Sequence, residues 1–326
     1  MPAEPHVVII AGGSSHEREV SQRSGRRIAD ALRHTGAHVE TIDVETGMLE
    51  HLRDSKPDLV WPTLHGVMGE DGTIADLLNL LRLPYIGSKP RSAALSWNKS
   101  LAKNAVEAAG VAVLPDVVLP KSSFRELGAT AILGALTSAM PLPLSVKPVM
   151  AGSSQGFTLV TSDLELTPAM VTCFGYGEAA LIEPAVSGTE ISVGVLDLGD
   201  GPATLPAVEI EAVGGSYDYD ARYTAGASRF HIPARVSRET LSTVALAALA
   251  AFRALDLRHI ARIDFIVDTD GRAWFLEADT APGMTETSIL PRAILQNSEP
   301  ASSPTQVLAP VYRQLVDTVL ATSVRS

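Results

Sequence analysis

The stretch from Ala261 to Ser288 reads ARIDFIVDTDGRAWFLEADTAPGMTETS. Arg262 to Asp268 alternates polar and apolar residues, and Ala273 to Asp279 does the same. Thr-Asp-Gly-Arg between them predicts a β-hairpin with a four-residue loop. Pairing Asp268 with Ala273 sets Asp264 opposite Glu277 and Arg262 opposite Asp279. Side chains alternate faces along a strand, and opposite residues share a face. One face then carries Arg262, Asp264, Glu277 and Asp279, while Ile263, Phe265 and Val267 turn to the core. Three carboxylates on one face repel each other unless positive charge lies among them. Arg262 can neutralise one. A divalent metal suits the rest, because magnesium takes hard oxygen ligands. A solvated acidic strand face would show the same pattern. The Pro-Gly-Met-Thr that follows favours a site, since a Gly there lets a backbone N–H approach a substrate oxygen closely.

Outward from the hairpin, the chain has 326 residues, enough for two or three domains. It is 46% hydrophobic and 19% charged, which makes it globular rather than disordered. Its 26 basic and 37 acidic residues leave a net charge of −11, and no basic cluster exceeds a few residues. That argues against nucleic acid and against anionic membrane surfaces as partners. Small anionic substrates stay open, because they need only a local positive site. The single Cys173 forms no internal disulfide and fits a reducing cytoplasm; its apolar helical surroundings mark it as core. No charged-then-apolar leader precedes the first strand, and no apolar run approaches the ~20 residues of a membrane span.

Residues 6–87 alternate strand and helix: strands over His6–Ile10, His38–Val44 and Leu59–Leu64, helices over Ser21–His34 and Thr73–Leu83. This predicts a βαβ domain with a parallel sheet, whose ligands bind beyond the carboxyl ends of the strands. Gly12–Ser21 and His65–Gly72 fall there. A helix over Lys89–Gly110 leads to a second unit. It has strands over Val111–Leu119, Leu142–Lys147, Phe157–Val160 and Ala179–Ile182, and helices over Ser123–Met140 and Leu164–Phe174. From Glu190 short strands dominate, followed by a helix over Glu239–Leu255, the hairpin, and a last helix near Gln306–Ala321. The predicted domains are residues 1–95, 96–186 and 187–326.

Three further constellations carry chemistry. Ser145-Val146-Lys147-Pro148 delivers a Lys to the turn Ala151-Gly152-Ser153-Ser154-Gln155-Gly156, whose N–H groups can cradle phosphate. The Lys precedes the glycines and no helix follows, so this is not the Walker pattern, and an ordinary Gly-Ser hairpin turn would look the same. Leu181-Ile182-Glu183-Pro184-Ala185-Val186-Ser187-Gly188-Thr189-Glu190 is an extended linker that can offer backbone groups to an adenine edge and carboxylates to an amino group and ribose hydroxyls. A solvated hinge explains it equally well. Gly12–Ser21 reads as a glycine turn before a helix, and His65–Thr73 as a loop in which Asp71 or Thr73 caps a helix.

Taken in order, EREVS, HGxxGEDGT, Lys99, the GSS loop, YDYDARY, RID and LEADTAPGMT resemble the D-alanine–D-alanine ligases of the ATP-grasp superfamily, from Gly12 to Pro291. The resemblance implies an α/β and α+β protein, a three-domain ATP-grasp fold with an N-terminal βαβ domain. It implies an enzyme that joins two D-alanines by way of an acyl phosphate, for peptidoglycan precursors, in the cytoplasm, and it leaves a homodimer open. ATP would meet Lys99, Lys147, Ser154, Glu183, the backbone of Ala185 and Val186, Glu190 and Arg222. Asp264, Glu277 and Asp279 would hold two magnesium ions, or manganese. Glu17 would hold the ammonium of the first D-alanine, in a triad with Ser153 and Tyr223. Arg262 and the N–H of Gly283 would serve the tetrahedral intermediate. His65 would lie near the first substrate and Ser288 would bind the second one's carboxylate. Tyr217–Ala227 would be the loop that closes over the site.

The sequence departs from the family at four positions. Asp279 stands where an Asn is expected, Ala151 where many members carry Glu, Thr287 where His is frequent, and Asn98 in place of an Asp before Lys99. Two alternatives follow: a ligase of the same mechanism that takes a different second substrate, and a non-catalytic nucleotide-binding regulator.

Overall fold

The computed structural model describes residues 4–212, 226–296 and 303–323. Its three sheets follow the sequence in order. The first is parallel, β2-β1-β3, built from β1 (His6–Ile10), β2 (His38–Ile42) and β3 (Leu59–Pro62). The unbroken apolar run of β1 is explained by burial on both faces. Val7 and Ile9 join one core cluster, and Val8 and Ile10 another. Helices α1 (Arg18–His34), α2 (Met48–Ser55) and α3 (Thr73–Leu80) accompany this sheet. α2 went unpredicted, because its eight residues carry only two buried side chains, Met48 and Leu52.

The helix expected over Lys89–Gly110 is two helices, α4 (Pro90–Trp97) and α5 (Lys99–Ala108). The break is at Asn98, whose extended backbone ends α4 and whose Oδ1 accepts from the N–H of Leu101 at 3.1 Å. Such a cap is worth about 1 kcal/mol, and it places Lys99 at the first position of α5. The helix expected over Ser123–Met140 is likewise divided, into α6 (Lys121–Leu127) and α7 (Ala129–Ala139), at Gly128 with φ +84°. The second sheet runs β4-β7-β5-β6, all antiparallel: β4 (Val117–Pro120), β5 (Leu144–Pro148), β6 (Thr158–Val160) and β7 (Ala179–Pro184). α7 and α8 (Asp163–Phe174) cover one face, with Cys173 fully buried among Leu166, Ala169 and Ile182. The strand over Val111–Leu119 shortens to β4.

The third sheet is antiparallel, β11-β10-β8-β12-β13, with β9 also on β8. Its strands are β8 (Gly188–Asp197), β9 (Pro202–Thr204), β10 (Val208–Ala212), β11 (Ser228–His231), β12 (Ile260–Asp268) and β13 (Ala273–Asp279). Helix α9 (Arg238–Ala254) packs Val244, Ala248 and Phe252 on one face, where Ala102 and Val106 of α5 join the same core. After α10 (Ile289–Leu295), helix α11 (Pro304–Ser323) returns to the first sheet and sets Leu308, Tyr312 and Val316 among Val7, Ile28 and Trp61. Among the described residues no helix is long and apolar enough to cross a membrane.

The hairpin has the expected register at its site end: Arg262 pairs with Asp279 and Asp264 with Glu277. Beyond Asp264 the register shifts by one, so that Phe265 faces Phe275 and Val267, not Asp268, faces Ala273. The bulge at Leu276 has a packing reason. It keeps both phenylalanines fully buried, edge to face at 6.2 Å, while Leu276 and Glu277 both reach the neighbouring cleft.

Candidate functional site

Two cavities meet between the sheets and share Lys99, Ala151, Gly152 and Glu277 in their walls. The larger, of about 620 Å³, runs from Lys147 and Ser154 past Glu183–Glu190 to Asp264 and Leu276. The smaller, of about 80 Å³, is enclosed by Glu17, His65, Glu70, Gly152, Arg262, Asp279 and Ser288 together with their neighbours.

The hairpin face lies at their junction. Arg262 spans its acids, with Nη2 at 2.8 Å from Asp264 and Nη1 at 2.8 Å from Asp279. Ser192 of β8 donates its hydroxyl to Asp264 at 2.6 Å. Lys99 lies 3.0 Å from Glu277 and donates to the carbonyl of Ala151. Burial alone would weaken the Arg262 cation, but Asp264, Asp279 and Glu277 outweigh it and raise its pKa far above the ordinary value. Asp279 is pushed up, first by burial and then by Asp264, against the opposing pull of Arg262 and His65. The face therefore holds more negative charge than Arg262 cancels.

In the large cleft the acids are met by lysines. Glu183, 1% exposed, receives Lys147 at 2.6 Å on one oxygen and Lys103 on the other. Lys103 is fully buried and also pairs with Asp116 at 2.9 Å. Burial on its own would raise the Glu183 carboxyl, yet the two lysines hold it below the usual range. The N–H of Ala185 donates to Pro143 at 2.8 Å. Gly152–Gly156 forms the expected turn between β5 and β6. Ser153 and Ser154 sit in the left-handed region at φ +52° and +57°, a conformation that side chains other than Gly rarely adopt.

In the small cavity, the hydroxyl of Ser153 donates to Glu17 at 2.5 Å. Glu17 opens α1, yet its side chain caps none of the helix N–H groups. Glu70 accepts from the N–H of Gly66 at 2.7 Å. Burial, then the charges of Asp279 and Glu17, drive the Glu70 carboxyl well above its ordinary value. His65 is 5% exposed, and its Nε2 has no hydrogen-bond partner among the described residues. Ser288 accepts from the N–H of Thr285 at 3.0 Å, and a side chain on Gly283 would meet its hydroxyl at 2.9 Å.

Residues 105–299 match the family model described as D-ala D-ala ligase C-terminus, and residues 45–88 the one described as D-ala D-ala ligase N-terminus. A D-alanine–D-alanine ligase of Pelotomaculum thermopropionicum is 36% identical over 287 residues, 88% of this chain and 90% of the relative. One of Anaeromyxobacter dehalogenans is 39% identical over 286 residues, with the same shares covered. The chain belongs to the D-alanine–D-alanine ligase family. Among solved structures, the VanG D-Ala:D-Ser ligase of Enterococcus faecalis is similar at a TM-score of 0.80 with 27% identity, covering 97% of this chain and 99% of that one. The Bacillus anthracis D-alanine–D-alanine ligase complexed with ATP is similar at 0.78 with 25% identity, covering 98% and 99%.

Of the residues that the ligase resemblance singles out, the structure gathers Glu17, His65, Ser153, Arg262, Gly283 and Ser288 around the small cavity. It gathers Lys147, Ser154, Glu183, Ala185, Val186, Glu190 and Asp264 around the large one, with Lys99 and Glu277 in both. Asp279 lines the small cavity. Arg222, Tyr223 and the rest of the loop up to residue 225 lie outside the described residues. Three residues at or behind the two cavities are not singled out by the sequence. Glu70 lies in HGxxGEDG, whose pattern reads as a loop. Lys103 lies one helical turn after Lys99, a spacing that puts both on one side of α5. In the sequence Gly152 is one of several small residues of a possible phosphate turn. Elsewhere, Glu209, Glu211 and His231 come together at the edge of β10 and β11, but Arg235 binds both glutamates, at 2.6 and 2.8 Å. This cluster reads as an ion-paired clamp on that edge.

Proposed function

We propose that the chain condenses two D-alanines to D-alanyl-D-alanine, for peptidoglycan precursors, with conversion of ATP to ADP and phosphate. The observation that carries this reading is the junction of the two cavities at Lys99, Gly152 and Glu277, which brings an anion-binding cleft against a small carboxylate-lined cavity. A carboxylate does not condense with an amine unaided, so one of its oxygens must first become part of a leaving group. The carboxylate of the first D-alanine, beside Arg262 and the N–H of Gly283, attacks the γ-phosphorus and ADP departs. The amine of the second then attacks the acyl carbon. Arg262 and Gly283 receive the developing oxyanion, and phosphate leaves with the original carboxylate oxygen. Lys99 and Lys147 leave Glu277 and Glu183 to meet the phosphates. Val186 and the carbonyl of Ala185 meet the base edge, and Glu190 the ribose.

Asp264, Glu277 and Asp279 fit magnesium or manganese: they are all hard oxygen donors, on one strand face with surplus negative charge. Bound there, the ion supplies positive charge to phosphate oxygens. The same reading takes residues 1–95, 96–186 and 187–326 as the three domains and the cytoplasm as the site of action. It also allows a homodimer, which light scattering would detect.

A second reading is favoured by one observation. Ala151 and Thr287, two departures from the family, line the small cavity together with Ser288, and the VanG D-Ala:D-Ser ligase is among the similar structures. ADP release with D-alanine alone, D-alanine with D-serine, and D-alanine with D-lactate decides between them. Release with D-alanine alone supports the first reading. Release only in a mixture supports the second.

A further inference from the structure

We propose that Glu70 is a second carboxylate for the ammonium group of the first amino acid, receiving it together with Glu17 over the bare α-carbon of Gly152. This rests on the reading that the first D-alanine lies beside Glu17. A Cβ built on Gly152 would stand 3.7 Å from Oε2 of Glu17 and 3.8 Å from both oxygens of Glu70. Gly152 has no such atom. Three carboxylate oxygens from two separate loops therefore face one spot in the wall of the small cavity.

Each carboxylate is held from behind by a neutral donor: Glu17 by the hydroxyl of Ser153, Glu70 by the N–H of Gly66. These bonds fix direction and add no charge. In the same wall Lys99 is bound to Glu277 and Ala151, and Arg262 to Asp264 and Asp279, while the charge of His65 acts on Asp279. Two carboxylates crowded into one recess cannot both stay ionised without a cation between them. Burial and then the charge of Asp279 raise the Glu70 carboxyl, and Glu17 adds to them. An α-ammonium resolves the conflict, because it brings one positive charge and three N–H donors. A hydroxyl in its place brings one donor and no charge. The pair Glu17–Glu70 thus selects an amino acid over a hydroxy acid at the first position.

The test compares Glu17→Gln, Glu70→Gln and Gly152→Ala with the unaltered chain. The readouts are the KM of the first D-alanine, the KM of ATP, and the competitive inhibition constant of D-lactate against the first D-alanine. Gln at position 70 keeps a carbonyl for the N–H of Gly66, so the loop retains its bond. Loss of a charged hydrogen bond predicts an increase of about tenfold in the first KM for Glu70→Gln. The KM of ATP and the D-lactate constant stay within about twofold. Gly152→Ala, whose methyl meets only ordinary contacts in the free protein, raises the same KM by filling the spot. An unchanged first KM in Glu70→Gln overturns the proposal. So does a parallel rise in the D-lactate constant, which marks a structural role. Glu17→Gln separates the two levels. If it raises the first KM and Glu70→Gln does not, only the second carboxylate fails. If neither does, the placement of the first D-alanine fails with it.

Discussion

Glu183 in the large cleft and Glu70 in the small cavity are both acids withdrawn from solvent, and their protons are held in opposite ways. Glu183 lies between Lys147 and Lys103, and its carboxyl is held below the ordinary value. Glu70 meets one backbone N–H and the fields of Asp279 and Glu17, and its carboxyl is driven up. Burial acts in the same sense on both, so the neighbouring charges decide the outcome. The cleft comes with its cations in place and is ready for an anion. The cavity has surplus negative charge and is ready for a cation. An ATP-dependent ligase of amino acids needs one of each, side by side.

The largest expected effect falls where the two regions touch. Arg262 lines the cavity and binds Asp264 of the cleft. Arg262→Met should lower kcat/KM by about 10²–10³, the usual cost of losing an oxyanion donor. Steady-state ADP release measures it, and a loss below tenfold would remove Arg262 from that role. Next is Lys103→Met. It leaves Asp116 and Glu183 with one cation fewer in a buried site, which should cost about 3–5 kcal/mol of stability. Chemical denaturation checks this, and a neutral result would mean that Lys147 alone satisfies Glu183.

A third comparison sets the two acids against each other. Glu183 has a depressed folded pKa, so its contribution to stability is complete above the ordinary Glu value and is lost as pH falls through the folded value. Glu70 has a raised one, so the folded protein retains a proton that the unfolded chain has released, and stability declines as pH climbs towards the folded value. At neutral pH, Glu183→Gln should therefore lower the Tm and Glu70→Gln should raise it in the ligand-free protein. Shifts of the same sign would undo the contrast. The smallest effect is expected at Asp279→Asn. If Asp279 is a metal ligand as proposed, removing its negative charge should raise the magnesium concentration for half-maximal activity by a few-fold. Equal metal dependence would count against Asp279 as a ligand.

Much of this contrast was legible in the sequence on one side only. The hairpin face could be read because strand alternation and a four-residue loop place Arg262, Asp264, Glu277 and Asp279 together with no tertiary information. The bulge at Leu276 was not legible, since the packing of Phe265 on Phe275 decides it. Glu17 and Ser153 were paired by resemblance alone; they are 136 residues apart, and no local pattern joins them. Glu70 was hidden for a different reason. Its importance comes from Glu17 at the start of α1 and Asp279 on β13, both far from it in sequence, and in the sequence it is one more polar residue in a loop. Lys103 was masked by the apolar rhythm of α5, in which a fully buried lysine gives no signal until Asp116 and Glu183 are seen around it.

The most direct test of the account follows the oxygen that the two regions pass between them. D-Alanine labelled with ¹⁸O in its carboxylate is supplied with unlabelled ATP, and the released phosphate is weighed by mass spectrometry. If the carboxylate of the small cavity attacks the nucleotide of the large cleft, each phosphate carries one ¹⁸O, and ADP and D-alanyl-D-alanine appear in equal amounts. Unlabelled phosphate would contradict the acyl-phosphate route, and with it the reading of the two cavities as one reaction site.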